Sequence, residues 1–354
     1  MFNIQYPANA PVAREIRSIE LLRGLASLMV CVFHLSNGNT AFLPDSSPIK
    51  RIGEFGWVGV EIFFVISGFV IPYAMYTKRY QMSSFWTFLK KRVIRIEPPY
   101  LVSIVLVLIL GFVSTLSPYY KGAPFVVDWA NVFSHLGYLN IFTGEAWLNP
   151  VYWSLAIEFQ YYLLIALVFG LIISPNVAVR VAFFTVFAAL SFLPVGPNKF
   201  IFTYTPYFIA GILLFQYFCQ VIGSREFLVM VILNSLLLLY SQGIGLTMVV
   251  LATLAAIQYV KQVPRLLRNL GLISYSLYLI HVPIGGRIIN ISATLITNPL
   301  VRECMVFVAI VISLLFSIGF YRFVERRFKQ LSASISYYQT GKQLEVVSPV
   351  KESL

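Results

Sequence analysis

Residues 19–38, IELLRGLASLMVCVFHLSNG, form an apolar run that carries Arg23 near one end and His34 near the other. A helix needs about 17–25 such residues to cross roughly 30 Å of hydrocarbon. Reading this stretch as a membrane helix decides the fold, because similar runs recur along the whole 354-residue chain. With 58% hydrophobic and only 11% charged residues and a mean hydropathy of +0.80, the composition lies far from that of soluble globular domains, about a quarter of whose residues are charged. The chain is therefore predicted to be an all-α, polytopic membrane protein.

The first 15 residues lack the apolar core of a cleaved signal, so the first helix is expected to remain. Cys31, Cys219 and Cys304 lie far apart inside apolar segments, with no disulfide or metal spacing, and are read as packing residues. A net charge of +12 raises the question of nucleic acid, but the basic residues cluster between hydrophobic spans rather than in an aromatic-studded soluble patch.

Apolar windows bounded by Gly, Pro, Asn and charges predict ten spans, near 18–36, 56–76, 98–116, 151–173, 178–194, 200–220, 226–241, 244–260, 270–290 and 304–323. Only SQGIG at 241–245 separates the seventh from the eighth. With both termini cytoplasmic, Lys50, Arg51, Lys121, Lys199, Arg287 and Arg302 fall outside and the other 20 of the 26 basic residues fall inside. That asymmetry is what the positive-inside rule requires of a correct frame. The expected organisation is a cytoplasmic tail over 1–15, a membrane domain over 16–328 and a cytoplasmic, mobile tail over 329–354. Residues 83–100, SSFWTFLKKRVIRIEPPY, read as an interfacial amphipathic helix that Pro98 and Pro99 stop. Within the long external loop 117–150, DWANVFSHLGYLNIF is expected to form a second surface helix. There is no internal repeat.

A charge at membrane depth costs at least about 2.5 to 3.5 kcal/mol, so each one needs a partner, a water-filled cavity or a task. Arg23 and His34 are 11 residues apart, close to three helical turns, and so share one face about 16 Å apart. Arg23 is either a snorkelling helix-end cation or a binding group. His34 is either a buried neutral imidazole bonded to a neighbouring helix or a general base. Glu61 and Glu158 enter their helices from the outer side and are predicted to lie at the depth of His34. A carboxylate there can orient an imidazole that deprotonates a hydroxyl, or the three residues can simply fix helix packing. Arg92 and Arg95 form an R-x-x-R pair suited to bidentate phosphate contacts or to anionic lipid headgroups. His281 is placed near mid-membrane, Glu325 is read as half of a structural ion pair, and Ser67 and Ser154 as small residues that let helices approach.

Taken in order, the arginine and histidine of helix 1, GVEIFFVISGF (59–69), RVIRIEPPY (92–100), YWSLAIEFQYYL (152–163) and ISYSLYLIHVP (273–283) resemble the acyltransferase 3 family of integral-membrane O-acyltransferases. The resemblance covers about residues 16–328. It implies transfer of an acyl group, most commonly acetyl, from acyl-coenzyme A to a hydroxyl of a cell-surface or secreted carbohydrate or a lipid-linked saccharide, in the bacterial cytoplasmic (inner) membrane. Carried over residue by residue, it makes His34 the catalytic base, with Glu158 or Glu61 as its orienting carboxylate. Arg23 becomes the required helix 1 partner, and Arg92 and Arg95 the contacts for the coenzyme phosphates, with no metal. Trp57, Tyr152 and Trp153 are expected at the outer mouth, stacking on a sugar. Two departures stand out. Glu325 is followed by Arg326 and Arg327 where the family has a proline nearby, and many relatives carry aspartate at the place of Glu61. Some members add a soluble esterase-like domain; without one, the chain is expected to complete the transfer itself or to pass the acyl group to a separate protein. The rival class is a proton-coupled transporter using His34, Glu61 and Glu158 as a relay. Transporters typically show repeated halves and broken helices at matching places, which the sequence lacks.

Overall fold

The computed structural model describes residues 6, 16–118, 120, 124–194 and 200–336. The expected tails over 1–15 and 329–354 therefore lie largely outside the described residues. Fourteen α-helices follow one another: α1 (Arg17–Asn37), α2 (Pro48–Glu54), α3 (Gly59–Thr77), α4 (Phe85–Thr115), α5 (Trp129–Ser134), α6 (Asn140–Thr143), α7 (Tyr152–Ile172), α8 (Val177–Ala189), α9 (Thr205–Phe218), α10 (Ser224–Tyr259), α11 (Arg265–Leu272), α12 (Ser274–Leu295), α13 (Pro299–Phe320) and α14 (Arg326–Ser334). No strand occurs among the described residues. Seven helical segments are long and apolar enough to cross a membrane, or eight if α11 and α12, bent by 69° against each other, count as one span. The helical stretch Val177–Phe192 is apolar but shorter.

The end of the bundle at Arg17 is called basal here and the end at Asn37 distal. Contacts set the register of the other helices against α1. Helix α3 descends, with Gly53 before it beside Ser36 and Gly59 against Ala26 and Val30. Helix α9 descends beside α3, pairing Tyr204 with Phe64 and Phe215 with Tyr76. Helix α12 rises beside α1, joined by Arg23 to Ser274 and by Asn39 to Asn290. The 36-residue α10 departs from helical geometry at Gly243 (φ 84°, ψ 174°). Phe227 stacks on Tyr217 toward the basal end, Gln242 accepts a hydrogen bond from Tyr207, and the carbonyl of Ile257 accepts one from Ser18, basal again. The segment thus climbs, turns at Gly243 and returns.

Pro98 and Pro99 do not end the basic amphipathic stretch, as the sequence suggests. Helix α4 runs unbroken from Phe85 to Thr115. Proline fits helical φ, but inside a helix it removes an N–H donor and crowds the carbonyl four residues back, so surrounding packing must hold α4 together here. Here the hydroxyl of Tyr275 donates to the carbonyl of Ile96 at 2.8 Å, pinning the helix at this point. Its basal half is clamped by α14: Lys91 Nζ donates to the carbonyls of Ser332 and Ile335, and Ser332 Oγ donates back to the carbonyl of Lys91.

The 128–142 stretch breaks into short helices instead of one surface helix, because Gly137 adopts φ 64° between them. Its centre is His135, fully buried against Trp147 and Tyr152. Nδ1 of His135 donates to the carbonyl of Asn131 at 2.8 Å and Nε2 accepts from the amide of Leu148 at 3.0 Å, so the ring is neutral with both nitrogens used. Burial holds its pKa below the ordinary value. A depressed folded value means that the stabilisation is whole above the unfolded pKa of about 6.5 and is lost as pH falls through the folded value. Amide exchange over residues 129–149, corrected for intrinsic rate, is expected to be slow at pH 8 and to quicken below pH ~6. A His135→Gln chain should lose that pH dependence. Equal protection at both pH values in the native chain would contradict this.

Candidate active site

Helix α12 touches every other part of the site. Arg23 Nε donates to Ser274 Oγ (3.3 Å). Ser276 gives both its amide (3.0 Å) and its hydroxyl (2.5 Å) to Glu325 Oε2. The hydroxyl of Tyr278 meets Ser154 Oγ at 2.6 Å. Asn149 donates to the carbonyl of Leu279 at 2.9 Å. His281 Nε2 lies 3.2 Å from His34 Nδ1. One segment, ISYSLYLIH, thereby holds α1, α7, the 117–150 segment and the start of α14 at fixed heights.

Between these helices lies a cavity that is open at its mouth. Arg23, Arg92 and Arg95 line it together with Glu158 and Glu325, and its walls reach Phe63 and Tyr278. A second cavity, of about 780 Å³, shares Arg23, Val70, Arg95 and Glu325 with the first and extends basally to Ile16 and Lys329. The two adjoin at these residues, and between them their walls run from the basal end to Tyr278, three residues and about 4.5 Å of helix short of His281. A third cavity opens distally between α4 and α12, beside Asn149, Val282, Arg287 and Asn290.

The three arginines face the cavity in different settings. Arg23 spends one of its five N–H donors on Ser274. Arg92 sits over the rings of Phe88 (5.3 Å) and Tyr162 (5.5 Å). Arg95 makes no hydrogen bond among the described residues. The carboxylates in the same wall are already engaged: Glu158 Oε1 accepts from Ser67 (2.9 Å) and Tyr162 (2.6 Å), and Glu325 holds Ser276. Glu325 sits in the π-helical turn Tyr321–Glu325, a kind of irregularity frequent at functional sites. It is thus a wall residue of the cavity, whereas its position beside three basic residues suggested an ion pair. No group of three or more His, Cys, Asp or Glu that could hold a metal occurs among the described residues.

Arg23, Arg92 and Arg95 line one cavity, as the sequence suggests, and Glu158, expected beside His34, lines it with them. The acid–base candidates are not brought together, because His34, Glu61 and Glu158 do not share a depth. Gly59 rests on Ala26 and Val30, so Glu61 lies about two turns basal of His34. Glu158, bonded to Ser67, lies about 9 Å lower still. The cause is the 117–150 segment, which sinks into the bundle: Asn149 bonds to Leu279, so α7 begins near the level of His281 rather than at the surface. No hydrogen bond joins His34 to Glu61 or Glu158 among the described residues. Oε2 of Glu61 is buried without a partner. The partner of His34 is His281, which sequence reasoning leaves without a role. Of the expected outer aromatics, Trp57 is exposed at the distal end. Trp153 packs against Phe64 and Tyr204. Tyr152 is fully buried, bonded to Ser103 at 2.8 Å and covered by His135, so it is a core residue and not a sugar platform.

Residues 16–322 match the acyltransferase domain of the acyltransferase 3 family. The chain belongs to this family. It is 29% identical over 163 residues to peptidoglycan O-acetyltransferase OatA of Listeria monocytogenes, covering 43% of this chain and 24% of that protein. It is 30% identical over 167 residues to O-acetyltransferase OatA of Staphylococcus aureus strain NCTC 8325, covering 44% of this chain and 25% of the relative. The matched stretch thus spans about a quarter of the length of these curated relatives. No solved structure matches the chain significantly.

Proposed function

We propose that the chain is a membrane O-acetyltransferase that moves an acetyl group from acetyl-coenzyme A to a carbohydrate hydroxyl at the cell surface. Peptidoglycan is the first acceptor to consider, on the likeness to a peptidoglycan O-acetyltransferase. The observation that carries the reading is the passage lined by Arg23, Arg92 and Arg95 that climbs to within a turn of the His34–His281 pair. An anionic nucleotide at its base and a thin acyl-bearing arm along its length match that shape and charge.

The basal end is assigned to the cytoplasm of a bacterial inner membrane. Supporting this, the Lys and Arg pattern puts 20 of the 26 such residues on that side when ten crossings are counted. The reversal of α10 at Gly243, the span Val177–Phe192 and the bent pair α11–α12 bring the seven clear crossings to ten.

In the reaction so assigned, Arg92, Arg95 and Arg23 hold the phosphates by charge-assisted bonds. Nε2 of His34 takes the proton of the acceptor hydroxyl, whose oxygen attacks the thioester carbonyl, and the proton leaves with the departing thiolate. Glu158, fixed by Ser67 and Tyr162, keeps Arg92 and Arg95 turned into the cavity. The acceptor approaches from the distal cavity beside Asn149, Arg287 and Asn290.

Calorimetry with acetyl-coenzyme A on the purified chain in nanodiscs tests this. Each charge-assisted bond contributes about 1.5–3 kcal/mol, so the Arg92→Ala, Arg95→Ala double variant should bind about 100-fold more weakly or worse. Saturable binding by the native chain that the double variant retains would place the donor elsewhere.

A further inference from the structure

The backbone dictates the tautomer of both imidazoles in the pair. His281 Nδ1 lies 2.8 Å from the carbonyl of Leu277, one turn back. A carbonyl can only accept, so Nδ1 carries the proton and Nε2 presents a lone pair. His34 Nδ1 lies 2.9 Å from the carbonyl of Val30, which fixes a proton there too. That same N–H also faces the His281 lone pair at 3.2 Å. Nε2 of His34 is left unprotonated and has no hydrogen-bond partner among the described residues. In water the other tautomer is the usual one, so two carbonyls and a second imidazole have been spent on exposing this lone pair.

We infer that His281 is the positioning residue of His34, a neutral hydrogen-bond acceptor standing where hydrolytic triads place a carboxylate. The inference rests on His34 being the base. When His34 Nε2 takes the acceptor's proton, its Nδ1–H bond to His281 becomes charge-assisted and so strengthens as charge develops. A carboxylate would serve the same end at the expense of burying a permanent charge in a fully buried site, and His281 is wholly inaccessible. The chain keeps its nearest carboxylates, Glu61 and Glu158, at lower levels.

The packing around the pair is built for close approach. At Gly285, one turn beyond His281, a Cβ would fall 2.7 Å from a side-chain carbon of Leu35, the neighbour of His34, and 2.6 Å from Ser313 Oγ. At the other end the bond between Arg23 and Ser274 ties the same two helices. Two fixed points, one below the pair and one above, leave the ring of His34 little freedom to turn away.

The chain contains only three histidines, so ¹⁵N-histidine labelling reports each ring directly. Magnetic resonance of the labelled chain in nanodiscs should show His34 and His281 both protonated at Nδ1, with a through-hydrogen-bond coupling between His34 Nδ1 and His281 Nε2. The coupling should vanish in His281→Leu. For thiol release from acetyl-coenzyme A in the presence of peptidoglycan glycan strands, His281→Leu should lower kcat about 10- to 100-fold, as loss of an orienting partner does. KM for acetyl-coenzyme A should stay unchanged, and His281→Gln, which keeps an acceptor, should recover most of the rate. Protonation of His34 at Nε2 in the native chain, absence of the coupling, or native kcat in His281→Leu would each overturn the assignment. The predicted tautomers in a native chain that binds no acetyl-coenzyme A would instead overturn the acyltransfer reading and, with it, the role of His281.

Discussion

A His34→Ala chain is expected to bind acetyl-coenzyme A as the native protein does and to transfer almost none of its acetyl group. General-base catalysis contributes about 10²–10⁴ in rate, so kcat should fall by at least ~100-fold. The donor phosphates are held about 16 Å away, at the level of Arg23, so the calorimetric Kd should stay within a factor of about two. A fall in kcat with unchanged donor affinity marks a group that acts in the transition state. A folded, membrane-inserted His34→Ala chain that still acylates would remove the base from this account and leave the cation-lined passage without a reacting end.

The second large effect is structural. Helices α3 and α9 meet backbone to backbone at Gly68 and Gly211. A Cβ on Gly211 would stand 2.2 Å from the carbonyl oxygen of Val65 and 2.7 Å from the backbone of Gly68 and Phe69, none of which can swing aside. Replacing a mid-helix glycine gains about 0.5–1 kcal/mol in helix propensity. Overpacking costs about 1–3 kcal/mol and more when backbone must move, so the clash wins. Membrane helices have no hydrophobic drive to offset a lost contact, because lipid tails are as apolar as the side chains. Gly211→Val should therefore yield little monodisperse protein and a clearly lower thermal midpoint by size-exclusion and fluorescence melting. Any that folds should bind donor weakly, since α3 carries Ser67, which fixes Glu158. A native melting curve for this variant would contradict the packing described.

Much of the site was legible because membrane depth makes charges rare and each survivor informative. Arg23 and the R-x-x-R pair line the same cavity. What the sequence did not reveal is height. Glu61 and Glu158 were placed level with His34 by counting residues from a flat outer surface. The 117–150 segment instead plunges inward around buried His135 and lowers the start of α7. The same plunge turned Tyr152 from a surface aromatic into a core one. Pro98 and Pro99 mislead because proline disfavours but does not forbid a helix interior, and packing of the surrounding helices holds α4 continuous through both. The His34–His281 contact joins residues 247 positions apart, and nothing local in either segment encodes it. The place of Glu325 in the cavity wall is hidden by the basic residues around it, which suggest a structural ion pair.

The central claim is that donor phosphates sit basally among the arginines while the thioester is delivered to His34. An electron cryomicroscopy structure of the chain in nanodiscs with a non-hydrolysable acetyl-coenzyme A analogue tests it most directly. Phosphates are expected within hydrogen-bond reach of Arg92 and Arg95, and the acyl carbonyl within about 4–6 Å of His34 Nε2, close enough for an interposed hydroxyl to react. Phosphates bound at the distal end, or an acyl carbon stranded at the level of Glu158, would contradict it.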